Sequence, residues 1–222
     1  LSAGSGTTAG VSVISTGIGQ QTLQAAGSVL LTGGGTVGGT EASIVLVSQA
    51  GGVGQRLQAR GTVRLLGGVG EDSTVLVVNS GGGSQNIGDP FPCCNFYTTP
   101  NVRLDGGDGA RSWAEVRNSG SGQQFVEPTA SLIVAGGAGN DSFVRISNTS
   151  SDEQWIGAPS YVCCSRDPVN TIAITAGTGL GAFAEITSTS AQRVTAQTSM
   201  TMSGNAAGGG YALLTGAGQD IR

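Results

Sequence analysis

The chain has 222 residues, a formal net charge of −4 and ten basic residues that are all arginine, scattered along an acidic sequence. This argues against a nucleic-acid surface, which needs clustered Lys and Arg, and the lack of any run of 18 apolar residues predicts no membrane span. Forty glycines with only 11% charged residues indicate tight corners between short, regularly stacked strands.

The first element of each repeat is a short strand with apolar residues two positions apart, such as Val29 and Leu31. A glycine-rich stretch, such as residues 33–35, follows it and predicts a corner. The matching strand residues in the seven repeats are Leu1, Leu31, Leu65, Leu104, Val134, Ile174 and Met202.

The second element has the same alternation and ends on a polar turn residue. Its apolar residues are Val13, Leu46, Val77, Val116, Ile146, Ile186 and Leu213. Its closing residues are Ser15, Ser48, Asn79, Asn118, Asn148, Ser188 and Thr215.

The third element begins with glutamine. The glutamines are Gln21, Gln55, Gln85, Gln123, Gln154, Gln192 and Gln219. Each is followed two positions later by an apolar residue on the same strand face: Leu23, Leu57, Ile87, Phe125, Ile156, Val194 or Ile221. The amides are therefore expected either to stack as a hydrogen-bonded ladder or to form a polar corner that faces water.

Three strands in each of seven repeats, spaced 27 to 38 residues apart, predict an all-β fold. We expect one domain over residues 1–222, a right-handed parallel β-helix of seven three-stranded coils. A disordered chain would lack apolar columns in register, and a propeller blade needs four strands.

Two insertions interrupt the same corner, at residues 88–101 (GDPFPCCNFYTTPN) and 157–170 (GAPSYVCCSRDPVN). They contain all four cysteines: Cys93, Cys94, Cys163 and Cys164. Adjacent cysteines suit a tetrahedral zinc site poorly, and the chain has no His. We therefore expect disulfides, with at least one bridge between the two loops, and an oxidising extracellular location, with no metal and no cofactor.

Three other functions have candidate residues. A glycan or a partner protein is a possible ligand of loop aromatics, which are Phe91, Phe96, Tyr97, Tyr161 and the nearby Trp155. Calcium binding is suggested by GGAGNDSFV (136–144) and GGVGEDSTV (67–75), although each occurs only once per coil. Polysaccharide cleavage would use charged residues on an outer face, among Arg103, Asp105, Asp108, Glu115, Arg117 and Arg145.

Repeats such as SLIVAGGAGNDSFVRISNTSSDEQWIGA resemble those of large bacterial exported proteins of the filamentous-haemagglutinin type. The resemblance covers the whole chain and rests on the first strand before GG, the second strand ending in Asn or Ser, and the Gln-initiated third strand. It implies a right-handed β-helix at the cell surface or outside the cell, acting as a fibre or adhesin stalk and not as an enzyme. The Cys-Cys loops depart from the usual pattern and suggest a cross-linked filament. Because both end coils would present bare strand edges, the coils are expected to continue beyond this segment or to stack on other subunits.

Overall fold

The computed structural model describes residues 1–5, 9–36, 39, 42–49, 51, 54–88, 99–157 and 168–222. In these ranges the chain forms β-strands and no helix. The described residues therefore contain no helix that is long and apolar enough to cross a membrane. The strands are β1 (Gly10–Ser15), β2 (Gln21–Ala25), β3 (Val29–Thr32), β4 (Ser43–Ser48), β5 (Gln55–Ala59), β6 (Thr62–Leu66), β7 (Thr74–Asn79), β8 (Gln85–Gly88), β9 (Asn101–Asp105), β10 (Trp113–Asn118), β11 (Gln124–Glu127), β12 (Ser131–Ala135), β13 (Phe143–Asn148), β14 (Gln154–Ile156), β15 (Val169–Thr175), β16 (Phe183–Ser188), β17 (Ala191–Val194), β18 (Ala196–Ser203), β19 (Ala212–Thr215) and β20 (Gly218–Ile221).

The strands form three parallel sheets. Sheet 1 has the order β18-β15-β12-β9-β6-β3, sheet 2 the order β1-β4-β7-β10-β13-β16-β19, and sheet 3 the order β2-β5-β8-β11-β14-β17-β20. Ser2 adds to sheet 1 through a parallel bridge to Thr32. The chain visits sheets 1, 2 and 3 in turn, so the described strands group into coils 1 to 7, from Ser2, β1 and β2 to β18, β19 and β20. This is the predicted parallel β-helix of three-stranded coils.

The core consists of the predicted apolar columns. Inward side chains alternate with outward ones along each strand, so each coil places its apolar residues directly on those of the next coil. Leu65, Val116 and Ile156, one from each sheet, are fully buried. The stacked residues form one continuous cluster along the solenoid, which no single coil could form alone.

Glycines at the corner between sheets 1 and 2 allow the coils to stack closely. A Cβ built on Gly67 would lie 2.5 Å from the backbone nitrogen of Gly107 in the next coil, closer than a real Cβ contact. At the same corner Asp72, Arg111 and Asp141 adopt φ values of 56°, 52° and 55°, in the left-handed region. At the glycine positions of this corner the backbones of successive coils lie in close contact, so there is no room for a side chain.

The predicted second-strand column is wrong by one residue in coil 7. Ile186 pairs with Leu214, not with Leu213. The ring of Tyr211 stacks on Phe183 outside the solenoid. Because a one-residue shift turns every side chain of a strand to the opposite face, this placement directs Leu214 inward and leaves Leu213 exposed.

The predicted bounds of the two insertions also need correction. Gly88 ends β8 and Asn101 begins β9, while Val169 and Asn170 belong to β15. Gly88, Asn101 and Val169 pair with residues of a neighbouring coil, and Asn170 lies in β15 at the point where its register with β18 shifts, so all four are part of the sheets.

Candidate functional site

The glutamines form a hydrogen-bonded ladder inside the solenoid. Each Nε2 donates to the Oε1 of the glutamine in the preceding coil. The bonds are Gln55 to Gln21 (2.6 Å), Gln85 to Gln55 (2.9 Å), Gln124 to Gln85 (2.7 Å), Gln154 to Gln124 (2.6 Å), Gln192 to Gln154 (2.5 Å) and Gln219 to Gln192 (2.8 Å). The five inner amides are buried, so the stacked-amide alternative describes them and the water-facing corner does not.

In coils 1 to 4 the glutamine amides also donate to backbone carbonyls of sheet 2. Gln124 Nε2 donates to Ser147 O at 3.0 Å, and Gln85 Nε2 donates to Arg117 O at 3.1 Å. The ladder therefore ties sheet 3 to sheet 2 in successive coils. A buried amide that lost these partners would carry the full cost of desolvation.

Gln123 is not a member of the ladder, contrary to the prediction. Gln124 pairs with Gln85 on one side and with Gln154 on the other. Phe125 consequently points out of the core, where its ring contacts Trp155 at a centroid distance of 6.2 Å. The inward position that was assigned to Phe125 belongs to Val126, which is fully buried and suits the aliphatic column better.

The predicted turn residues form a second amide ladder in coils 3 to 6. Asn79 Nδ2 donates to Asn118 Oδ1 at 3.0 Å, and Asn118 Nδ2 donates to Asn148 Oδ1 at 3.0 Å. Asn148 Nδ2 then contacts Ser188 Oγ at 3.5 Å. The predicted member in coil 7, Thr215, pairs instead with Thr187 and lies outside this column.

Four aromatic rings stack on the outer face of sheet 2 in coils 4 to 7. They are Trp113, Phe143, Phe183 and Tyr211, with successive centroid distances of 5.3, 4.8 and 5.0 Å and interplanar angles of 8°, 3° and 1°. The two inner rings, Phe143 and Phe183, are covered on both faces by their neighbours, so no sugar can stack on them, whereas each end ring, Trp113 or Tyr211, has a ring neighbour on one face only. Sequence reasoning missed this stack, although an aromatic residue three positions before Val116, Ile146 and Ile186 was a visible signal.

Charged groups flank the aromatic stack. The Arg145 guanidinium lies 5.2 Å from the centroid of the Phe143 ring, and its Nε donates to Glu185 at 2.7 Å. The Tyr211 hydroxyl donates to the same carboxylate, at 2.7 Å. Burial, together with this hydrogen bond, raises the pKa of Tyr211 to about 12. These contacts join coils 5, 6 and 7 on the outside of sheet 2.

The residues considered for polysaccharide cleavage lie on two different sheets. Asp105, on sheet 1, accepts hydrogen bonds from Arg64 and Arg103, each at 2.8 Å, beside an open groove of about 470 Å³. The hydrogen bond to Asp105 raises the pKa of Arg103. Asp108 is exposed at the following corner, in the lining of the same groove.

The other three candidates, Glu115, Arg117 and Arg145, are on sheet 2. Glu115 accepts a hydrogen bond from Ser147 at 3.1 Å, and it is nearly buried. The six charged residues therefore do not form one row along one face.

The calcium pattern is interrupted at coil 4. Arg111 occupies the position of Asp72 and Asp141, and its guanidinium donates to Asp72 at 2.8 Å and also to Glu71. The hydrogen bond from Arg111 lowers the pKa of Asp72. In the described ranges no three His, Cys, Asp or Glu residues lie close enough together to hold a metal ion.

The two end faces expose residues of the same columns that are buried elsewhere. Leu1 is 52% exposed and Met202 is 45% exposed, whereas Leu65, in the same column, is fully buried. Ile221 is 53% exposed and Val13 is 42% exposed. Within the described ranges, each end face therefore presents partly exposed residues of the core columns beside strands that pair on one side only.

The predicted cysteine and aromatic loops lie outside the described residues. They comprise Cys93, Cys94, Cys163, Cys164, Phe91, Phe96, Tyr97 and Tyr161. Trp155 is described, and it is 8% exposed, with the Arg193 guanidinium 4.2 Å from its ring centroid. That contact leaves little of the ring open to a ligand.

No protein-family model, no curated protein and no solved structure matches the chain.

Proposed function

We propose that the chain is a structural segment of an extracellular β-solenoid fibre or adhesin stalk, in which coils stack end to end and disulfides cross-link the filament. The observation that supports this most directly is the continuity of the glutamine ladder and the apolar columns through the described coils to both end faces. A rod built in this way has the same internal cross-section at every coil, so a further coil on either face repeats the existing contacts.

Energetics favour such stacking. Full burial of a Leu, Ile or Met side chain contributes about 1.5–3 kcal/mol, and Leu1, Met202 and Ile221 are each about half exposed at the ends. A coil placed on these faces would also pair the N–H and C=O groups of the edge strands that point away from the neighbouring coil.

The charged side chains support a structural role over a catalytic one. Asp105 and Arg145 are held in ion pairs, and Glu115 is hydrogen-bonded to a serine in the next coil. These contacts hold neighbouring coils together. A general acid or base, in contrast, must be free to exchange a proton with a bound substrate.

Extracellular location and cross-linking are supported by the sequence. The four cysteines fall in two insertions at one corner of the repeat, and disulfides form and persist in oxidising compartments. The resemblance to filamentous-haemagglutinin-type repeats suggests the same location.

Replacement of Ile221 by Asp tests the stacking. Ile221→Asp places a charge on the coil-7 face, and Leu180→Asp is a matched control, because Leu180 is 61% exposed at a corner away from both faces. In sedimentation velocity we expect assemblies for the wild-type chain and for Leu180→Asp, and a loss of assemblies for Ile221→Asp. A wild-type chain that sediments as a monomer at micromolar concentration would contradict the proposed function.

A further inference from the structure

The glutamine ladder has a direction, and it reaches both end faces. Every amide-to-amide hydrogen bond of the ladder donates towards coil 1, so the last amide, Gln219, offers an Oε1 that has no donor in the described part of the chain. The asparagine ladder spans only coils 3 to 6 and cannot guide a contact at either face.

At the opposite face, Gln21 is already placed as a donor. Its Nε2 contacts Val13 O and Val47 O, each at 3.0 Å. The inner residue Gln85 makes the equivalent contacts, to Val77 O at 3.3 Å and to Arg117 O at 3.1 Å. Gln85 also donates to an amide oxygen in the preceding coil. Compared with Gln85, Gln21 lacks only that amide acceptor.

The apolar residues of the two faces match column by column. Met202 continues the sheet 1 column that Leu1 begins. The corresponding pairs are Leu214 with Val13 in sheet 2 and Ile221 with Leu23 in sheet 3. In each of the three columns, coil 1 therefore has an aliphatic side chain that would cover the partly exposed apolar side chain of coil 7.

We propose that copies of this chain associate head to tail, with coil 1 of one copy in parallel register on coil 7 of the other and Gln21 Nε2 donating to Gln219 Oε1. This rests on the proposed function and adds a polarity and a register to it. A two-fold arrangement of two coil-7 faces would oppose two amide oxygens without a donor between them, so the ladder disfavours it.

Engineered cysteines test the register. Thr22 and Asp220 point outward at the same position of sheet 3 in coils 1 and 7, next to Gln21 and Gln219. Strands in register lie about 4.8 Å apart, within the Cα separation of about 4.4–6.8 Å that a disulfide requires. Thr22→Cys chains are mixed with Asp220→Cys chains and oxidised, and non-reducing peptide mapping identifies the links and separates them from links of the native cysteines. Thr62→Cys mixed with Asp220→Cys is the control, because Thr62 lies in coil 3.

We expect a link between positions 22 and 220 in the mixture, its loss in the control, and no 220–220 link from Asp220→Cys alone. A dominant 220–220 link, or rods that form without any 22–220 link, would overturn the head-to-tail register while leaving the fibre proposal intact. Chains that neither link nor assemble would overturn both, because the wild-type assembly is measured separately.

Discussion

At the scale of single residues, the two amide ladders donate in opposite directions. Glutamine amides donate towards coil 1, and asparagine amides donate towards coil 7. The side-chain amide dipoles of the two columns therefore oppose each other along the solenoid axis. Each inner amide is both donor and acceptor, so removal of one member leaves one unpaired polar atom on each of its two buried neighbours.

Replacement of Gln124 by Leu should destabilise the solenoid by about 2–4 kcal/mol, because an acceptor on Gln85 and a donor on Gln154 are left buried and unpaired. The matched control is Gln123→Leu, whose side chain is outside the ladder. Urea unfolding followed by circular dichroism measures the difference. Equal losses for the two variants would mean that the ladder does not run through Gln124.

Tyr211 should show a distinctive alkaline titration. Its pKa is raised from 10.0 to about 12 in the folded chain, so its contribution to stability is complete below pH 10 and is lost as the pH rises through 12. Ultraviolet titration should show a tyrosine that ionises near pH 12. The late step should disappear in Tyr211→Phe, and its persistence in that variant would assign it to another residue.

At the scale of strands and corners, stacking distance determines where glycine is required. A Cβ on Gly107 would collide with the carbonyl oxygen of Gly68 and lie 2.5 Å from the Ser112 Cβ, whereas a Cβ on Gly27 meets no atom within 4 Å. Position 107 therefore requires glycine, because the backbones of two successive coils are in contact there.

Gly107→Ala should lower stability by about 1–3 kcal/mol, the usual range for overpacking, and Gly27→Ala should have little effect. Thermal unfolding of the two variants measures this. If the variants melt at the same temperature, the corners stack less closely than the structure describes.

The strands, the three sheets and most of the register followed from the sequence, because an inward residue recurs every second position and every coil repeats it. The errors occurred where two similar residues are adjacent, at Gln123 and Gln124 and at Leu213 and Leu214. Alternation alone cannot choose between such neighbours. Phe125 and Tyr211 decide between them, because their large rings lie outside the apolar columns, against aromatic neighbours in the preceding or following coil. The aromatic stack itself depends on contacts between coils about 30 to 40 residues apart, which the pattern within one strand does not reveal.

At the scale of the whole molecule, seven coils span on the order of 34 Å along the axis. Buried columns and the glutamine ladder extend along this length and open at both faces, while the corner glycines keep successive coils close. A further coil placed on either face would repeat the contacts that the existing coils make with one another. A fibre or stalk requires this property.

Electron microscopy of the wild-type chain, combined with X-ray diffraction from oriented assemblies, tests the stacking of coils between copies. We expect unbranched rods much longer than the ~34 Å of one chain, with an axial reflection at ~4.8 Å from coils stacked without a break between copies. Separate particles about one chain in length, with no growth at increasing protein concentration, would contradict this stacking.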